Sequence, residues 1–255
     1  ASRHDAANAI RKLFLTARRL QSDRDGIRFL SHGVILVVSQ ALDTVMTVYP
    51  EPREGESPDV ELASSLAADL RKQSRFVVIE GIDGAGKTTL IANLAQVMPA
   101  STLFLRCNRD TDAGLCARTL IAGKHHDYAI QAAMIADKFM LDRQIRAARE
   151  EGRTVVLDRW VQSAYAYAPK LRPWLGQAYS QLDVPTHVLW IDVPIGNAIK
   201  RISARGEIDA FETKERLITA KTWYAQQASR ADWHTLDGLD SEDAMVRRAL
   251  EAIGA

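Results

Sequence analysis

Cysteine is scarce in this chain. Cys107 and Cys116 are the only two in 255 residues, and neither has a second cysteine or a histidine at metal-ligand spacing. That excludes a disulfide-built scaffold and a zinc-stapled module, and leaves free thiols as the expectation. An excess of one charge is missing as well. Lys and Arg total 33 against 32 Asp and Glu, a formal net charge of +1, so the whole chain is not built to bind polyanions. Long apolar runs are missing too. The most apolar stretch, Gly33–Tyr49, contains Ser39, Gln40 and Asp43 and reads as a buried helix, not a membrane span. Residues 1–28 carry charge throughout and lack the apolar centre of a signal peptide. No membrane association and a cytoplasmic location are therefore expected. There is no internal repeat and no low-complexity tract.

What is present changes character near Ser74. Before it, Ile10, Leu13, Phe14, Ala17 and Leu20 recur at helical spacing, as do Ile35, Val38, Leu42, Val45 and Tyr49. Leu62, Leu66 and Leu70 stand four apart, after a Pro- and Glu-rich break over 50–58. Residues 1–74 are thus predicted to form an N-terminal helical module. Its charge is uneven, with seven Arg or Lys against three Asp in residues 1–28. Such a face is either solvated or turned toward an anionic partner such as DNA. From Arg75 to Ala255 short apolar runs alternate with helical stretches. The predicted strands are Phe76–Glu80, Thr102–Arg106, Thr154–Leu157, His187–Asp192 and Trp233–Leu236. This alternation predicts an α/β domain over 75–255, with a five-stranded parallel sheet flanked by helices.

The strongest motif is Gly81-Ile82-Asp83-Gly84-Ala85-Gly86-Lys87-Thr88, which fits G-x-x-x-x-G-K-[ST]. It follows an apolar strand and opens a helix at Thr89. Gly81, Gly84 and Gly86 allow the backbone to curl, so that N–H groups, including that of Ala85, converge on phosphate oxygens. Lys87 would reach the β- and γ-phosphates of ATP, and the Thr88 hydroxyl would help to hold Mg²⁺. Asp158 and Asp192 each end a predicted strand, on the edge where open α/β sheets bind ligands. Either could instead cap a helix. Asp158 is the candidate second metal-side residue.

With these segments in view, the sequence over about 75–255 resembles the thymidylate kinase family of nucleoside monophosphate kinases. Phe76–Thr89 carries the first likeness, including an acidic Asp83, which in the family lies near the transferring phosphates. The run Asp158-Arg159-Trp160-Val161-Gln162-Ser163-Ala164-Tyr165-Ala166-Tyr167 resembles D-R-[YFH]-x-x-S-x-x-A-Y. In the family that arginine holds the acceptor phosphate and the last tyrosine lies against the acceptor sugar. Arg201-Ile202-Ser203-Ala204-Arg205-Gly206 with Asp209-Ala210-Phe211-Glu212 resembles the lid that closes arginines over ATP. The resemblance implies catalytic roles for Asp83, Lys87, Arg159 and Arg205, and a donor-side role for Arg201. It implies acceptor roles for Asp83, Arg109, Met134, Lys138, Arg159, Ser163, Tyr167 and Asp209. It is also compatible with a homodimer.

The base pocket departs from the family pattern. Met134 stands where an aromatic ring stacks on the base, and Lys138 replaces an arginine four residues later. Ala164 and Ala168 occupy positions where asparagine and glutamine are common. The expected reaction is dNMP + ATP to dNDP + ADP, on a nucleotide acceptor. The altered pocket keeps an alternative open: phosphorylation of a hydroxyl on a nucleoside, or on a modified base such as hydroxymethyluracil within DNA. A nucleotide switch or assembly ATPase leaves the acceptor-side and lid arginines without a purpose.

Overall fold

The computed structural model describes residues 18–23, 26–31, 34–38, 45–50, 74–206 and 212–254. Four strands come first: β1 (Arg18–Asp23), β2 (Gly26–Ser31), β3 (Val34–Val38) and β4 (Val45–Pro50). They pair antiparallel in the order β1-β2-β3-β4.

This corrects the expected helical module. Ile35 and Val38 lie in β3, Val45 and Tyr49 in β4, and Leu20 in β1, where helices were predicted. The run Val34-Ile35-Leu36-Val37-Val38 is dominated by β-branched side chains, which lose rotamer freedom in a helix and suit a pleated surface. A match to helical spacing in a run apolar at nearly every position carries little information. Ile10, Leu13, Phe14, Ala17, Leu42 and the expected helix at Leu62–Leu70 lie outside the described residues.

The second sheet follows the sequence reading. Its strands are β5 (Phe76–Glu80), β6 (Leu103–Arg106), β7 (Val155–Asp158), β8 (His187–Asp192) and β9 (Trp233–Asp237), all parallel, in the order β6-β7-β5-β8-β9. Every residue of β5 is buried, as a central strand covered on both faces requires. The helices are α1 (Lys87–Val97), α2 (Asp112–Ala122), α3 (Asp127–Glu150), α4 (Val161–Tyr167), α5 (Arg172–Tyr179), α6 (Ile195–Ala204), α7 (Lys214–Gln227) and α8 (Glu242–Ile253). Local chemistry marks several of their ends. Thr111 accepts from Gly114 N at the start of α2, and Ser241 accepts from Ala244 N at the start of α8. Gly254, with φ 66, closes α8 in the left-handed conformation.

The chain divides into two units. One comprises Ala1–Pro58, Cys107–Gln144 and Pro173–Leu182, the other Asp59–Arg106, Ile145–Arg172 and Asp183–Ala255. The second unit holds the whole parallel sheet and the phosphate loop. Its core includes Trp160, fully buried with its ring edge against Phe76 at a centroid distance of 5.8 Å. β5 lies between β7 and β8; the chain leaves β5 toward β6 on one side of the sheet and leaves β8 toward β9 on the other. The carboxyl ends of these three strands form the switch point at which such sheets bind ligands. Glu80, Asp158 and Asp192 end them.

Candidate active site

The phosphate loop needs glycine for reasons of space and backbone conformation. Gly81, Gly84 and Gly86 have φ 147, 77 and 106. A Cβ on Gly84 would come within 2.5 Å of the Ala198 carbonyl oxygen. The loop opens α1 with Gly86 at the N-cap and no side-chain cap, so the first N–H groups of the helix are left for an anion. Lys87 is buried and its ammonium donates to Gly81 O at 3.1 Å and Ile82 O at 2.8 Å. Burial, then repulsion from Arg159, pull the Lys87 pKa down to about 8, against the opposing pull of Asp83, Asp158 and Glu80. Thr88 and Thr89 follow at the exposed start of the helix.

Arg159 meets this loop directly. Arg159 follows β7 with φ 66, a left-handed conformation uncommon for a side chain of this size. One terminal nitrogen of its guanidinium pairs with Asp83, and the other donates to the Ser163 hydroxyl at 3.0 Å. Tyr167 donates from its hydroxyl to Asp83 Oδ2 at 2.8 Å and accepts from Asp83 N at 3.1 Å. The Arg159 guanidinium also lies over the Tyr167 ring, 5.5 Å from its centroid. Burial pushes the Asp83 carboxyl up, but Arg159, Lys87 and these hydrogen bonds outweigh it and hold the pKa below the usual value. The Tyr167 hydroxyl is pushed well up by burial and by Asp83, so it stays protonated.

Asp158 sits beside this cluster and is electrostatically coupled to Lys87. Its Oδ1 is buried with no hydrogen-bond partner among the described residues. Such an oxygen suits a hydrated cation, and with the Thr88 hydroxyl it would supply hard oxygen donors of the kind Mg²⁺ accepts. No group of three or more His, Cys, Asp or Glu forms a metal cluster among the described residues. Kinase sites bind Mg²⁺ through one or two side chains and the substrate phosphates, so two oxygen donors fit that pattern. When bound, Mg²⁺ supplies charge neutralisation across the transferring phosphates.

The remaining residues fall in different places. Arg201, on α6, donates to Gly84 O at 3.3 Å, Ala85 O at 3.2 Å and Gly238 O at 2.9 Å, so it braces the phosphate loop. Arg205 lies just past the end of α6, more than half exposed and paired with Glu212. Asp209 lies outside the described residues. Asp192 is held by the Lys221 ammonium on α7, which also donates to Val193 O at 2.8 Å, so it anchors a helix.

Arg109, Met134 and Lys138 belong to the other unit. Arg109 is exposed in the segment after Asn108, whose φ is 60. Asp137, fully buried on α3, accepts from Asn108 N at 2.9 Å and from the Thr111 hydroxyl at 2.5 Å, and so fixes that segment. Met134 is half-buried. Lys138 is buried, with its ammonium 5.7 Å from the Tyr179 ring centroid.

Three residues escaped the sequence reading: Glu80, Tyr224 and Asp137. Glu80 had a signal, since a carboxylate ends a strand otherwise apolar throughout. Asp137 had only its place between Met134 and Lys138 as a signal. Tyr224 had no signal, being one tyrosine on a predicted helix.

A strand–phosphate loop–helix unit whose loop is paired with an arginine from the end of the neighbouring strand fits the class of P-loop nucleotide kinases. The thymidylate kinase family model matches residues 79–249. A thymidylate kinase of Akkermansia muciniphila is 32% identical over 197 residues, covering 70% of this chain and 92% of that protein. A probable thymidylate kinase of Pyrobaculum calidifontis is 30% identical over 196 residues, covering 70% and 98%. Among solved structures, a thymidylate kinase of Candida albicans superposes with a TM-score of 0.62 at 18% identity, covering 71% of this chain and 91% of that one. That likeness speaks to the fold. The chain belongs to the thymidylate kinase family and is an ATP-dependent nucleotide kinase.

Proposed function

We propose that this kinase transfers the γ-phosphoryl group of ATP to thymidylate, giving the diphosphate and ADP. An oxygen of the acceptor phosphate attacks the γ-phosphorus in line, and the bond to the bridging oxygen of ADP breaks. The observation that carries this reading is the ion pair of Arg159 with Asp83. A guanidinium held at the phosphate loop supports an acceptor-side role for Arg159. Two polyanions can react only if their repulsion is cancelled and their oxygens are aligned, and a planar guanidinium serves both needs. Lys87 and the N–H groups of the loop hold the donor, Thr88 and Asp158 hold Mg²⁺, and Arg159 with Ser163 and Tyr167 faces the acceptor.

In the same reading, Arg109, Met134, Lys138 and Asp209 serve the acceptor, and Arg205 exchanges Glu212 for ATP phosphate. Met134 gives the base a softer wall than an aromatic ring. The kinase proper is residues 75–255, residues 1–74 are a separate region, and two copies pair as a homodimer. Sedimentation checks the last point.

A coupled ADP assay with a panel of nucleoside monophosphates tests the acceptor. Thymidylate is expected to give the highest kcat/KM. Transfer of label from ATP onto DNA, with silence across the panel, overturns the reading. That outcome would restore a hydroxyl on a modified base as the acceptor, which family membership does not favour. No helix among the described residues is long and apolar enough to cross a membrane.

A further inference from the structure

Glu80 is the last residue of β5, immediately before the phosphate loop, and it is fully buried. Four donors converge on its carboxylate. Trp160 N reaches Oε1 at 2.8 Å and Ser163 N reaches it at 3.2 Å. The Ser163 hydroxyl reaches Oε2 at 2.6 Å and the Tyr224 hydroxyl reaches it at 2.8 Å. Two of these donors are the backbone N–H groups that open α4, a helix whose N-cap residue, Trp160, offers no side-chain cap of its own. Glu80 therefore caps α4 from the neighbouring strand. A carboxylate engaged by four donors in a buried site has no oxygen left over for a substrate proton, so a general-base role does not fit.

Its effect runs through Ser163. That hydroxyl has a single hydrogen, directed at Glu80 Oε2, so its lone pairs remain to accept from Arg159 at 3.0 Å. The other terminal nitrogen of Arg159 is held by Asp83. The guanidinium is thus fixed at both ends of its fork, and Glu80 is the fixed point on one side. Tyr224 ties α7 to the same oxygen, so the first helix after residues 207–211 shares this anchor.

We propose that Glu80 is a positioning residue for the acceptor phosphate, aiming Arg159 through Ser163 and the start of α4. The proposal rests on the acceptor role assigned to Arg159 above. The test is steady-state kinetics on the full chain, varying thymidylate at saturating ATP and ATP at saturating thymidylate, with thermal melting of each variant.

Glu80→Gln places an amide N–H₂ among four donors. It is expected to raise the KM for thymidylate and lower kcat, each by about 10-fold or more, with the KM for ATP within about twofold. Ser163→Ala leaves the carboxylate and its backbone partners in place, so it remains a test if Glu80→Gln fails to fold. It is expected to shift the acceptor constants in the same direction by about 3- to 10-fold. The double variant should be no worse than Glu80→Gln alone, since both act on one path. Equal loss in the two KM values, or an unchanged Ser163→Ala enzyme, overturns the proposal. If the wild type turns over a different monophosphate, the titrations use that one. The thymidylate reading then fails while the Glu80 test still stands.

Discussion

Arg159 and Asp83 form an ion pair across 76 residues of sequence, and Tyr167 closes the arrangement by donating to the second oxygen of the same carboxylate. The segment that follows β7 is thereby fastened to the phosphate loop. Asp83→Asn keeps the shape but removes the charge that holds Arg159. The expected loss in kcat/KM for the acceptor is about 10- to 100-fold, since a displaced guanidinium no longer meets the phosphate in line. Full activity in this variant would show that the pair is incidental.

Lys87 gives a pH prediction. Its pKa of about 8 lies below the ordinary lysine value of 10.5. Between these limits the folded protein holds fewer protons than the unfolded chain, so this group's contribution to stability rises with pH across that window. Nucleotide binding behaves oppositely. Phosphates favour the charged ammonium, so above about pH 8 binding must take up a proton. The KM for ATP is expected to climb by up to about tenfold per pH unit beyond that point. A KM that stays flat from pH 7 to 9.5 would contradict it. Lys87→Ala should lower turnover by about 10³-fold or more at any pH.

Gly84 gives a structural prediction. Its φ of 77 and the 2.5 Å approach of a Cβ to Ala198 O leave no room for Gly84→Ala. Both obstacles are backbone, so neither can swing aside. The cost is expected to be about 1–3 kcal/mol, together with a raised KM for ATP. Melting temperature and steady-state kinetics measure the two effects.

Asp137 gives a fourth. Asp137→Ala leaves the Asn108 N–H and the Thr111 hydroxyl without their acceptor. Unsatisfied donors of this kind cost about 1–3 kcal/mol, readable as a shift in the urea midpoint. Burial lifts the Asp137 carboxyl above its usual range, against the pull of Lys138 and the two hydrogen bonds. Asp137→Asn, which can still accept on one oxygen, should lose less than Asp137→Ala.

Much of the parallel sheet was legible because buried central strands leave a plain record. Phe76–Ile79 and Val155–Leu157 are apolar at consecutive positions, and that pattern suits few other environments. The phosphate loop was legible because its glycines answer to backbone geometry. The antiparallel strands β1–β4 were misread, since a run such as Val34–Val38 satisfies any apolar periodicity. α5 has no counterpart among the predicted helices; Pro173 stands in its first turn, where proline is tolerated. In the site, residue types announced Arg159 and Lys87, but nothing in one sequence shows which donors converge on Glu80. Arg201 reads from the sequence only as a donor-side residue of the lid-like segment. Its three bonds to backbone carbonyls depend on where Gly84, Ala85 and Gly238 come together in space.

The Lys87 ammonium already holds Gly81 O and Ile82 O. An arriving nucleotide therefore gains only the difference between old partners and new ones. Such a loop keeps its shape between cycles, because the cation proposed to meet the phosphates holds the loop's own carbonyls in the meantime. It also sets a limit on how tightly the product can be retained. On the proposed reading, the ammonium returns to those carbonyls when ADP departs and is not left bare in a buried place. Release is thereby eased by the same two bonds that keep the empty loop in order, and an enzyme that must discharge its product every turnover benefits from both.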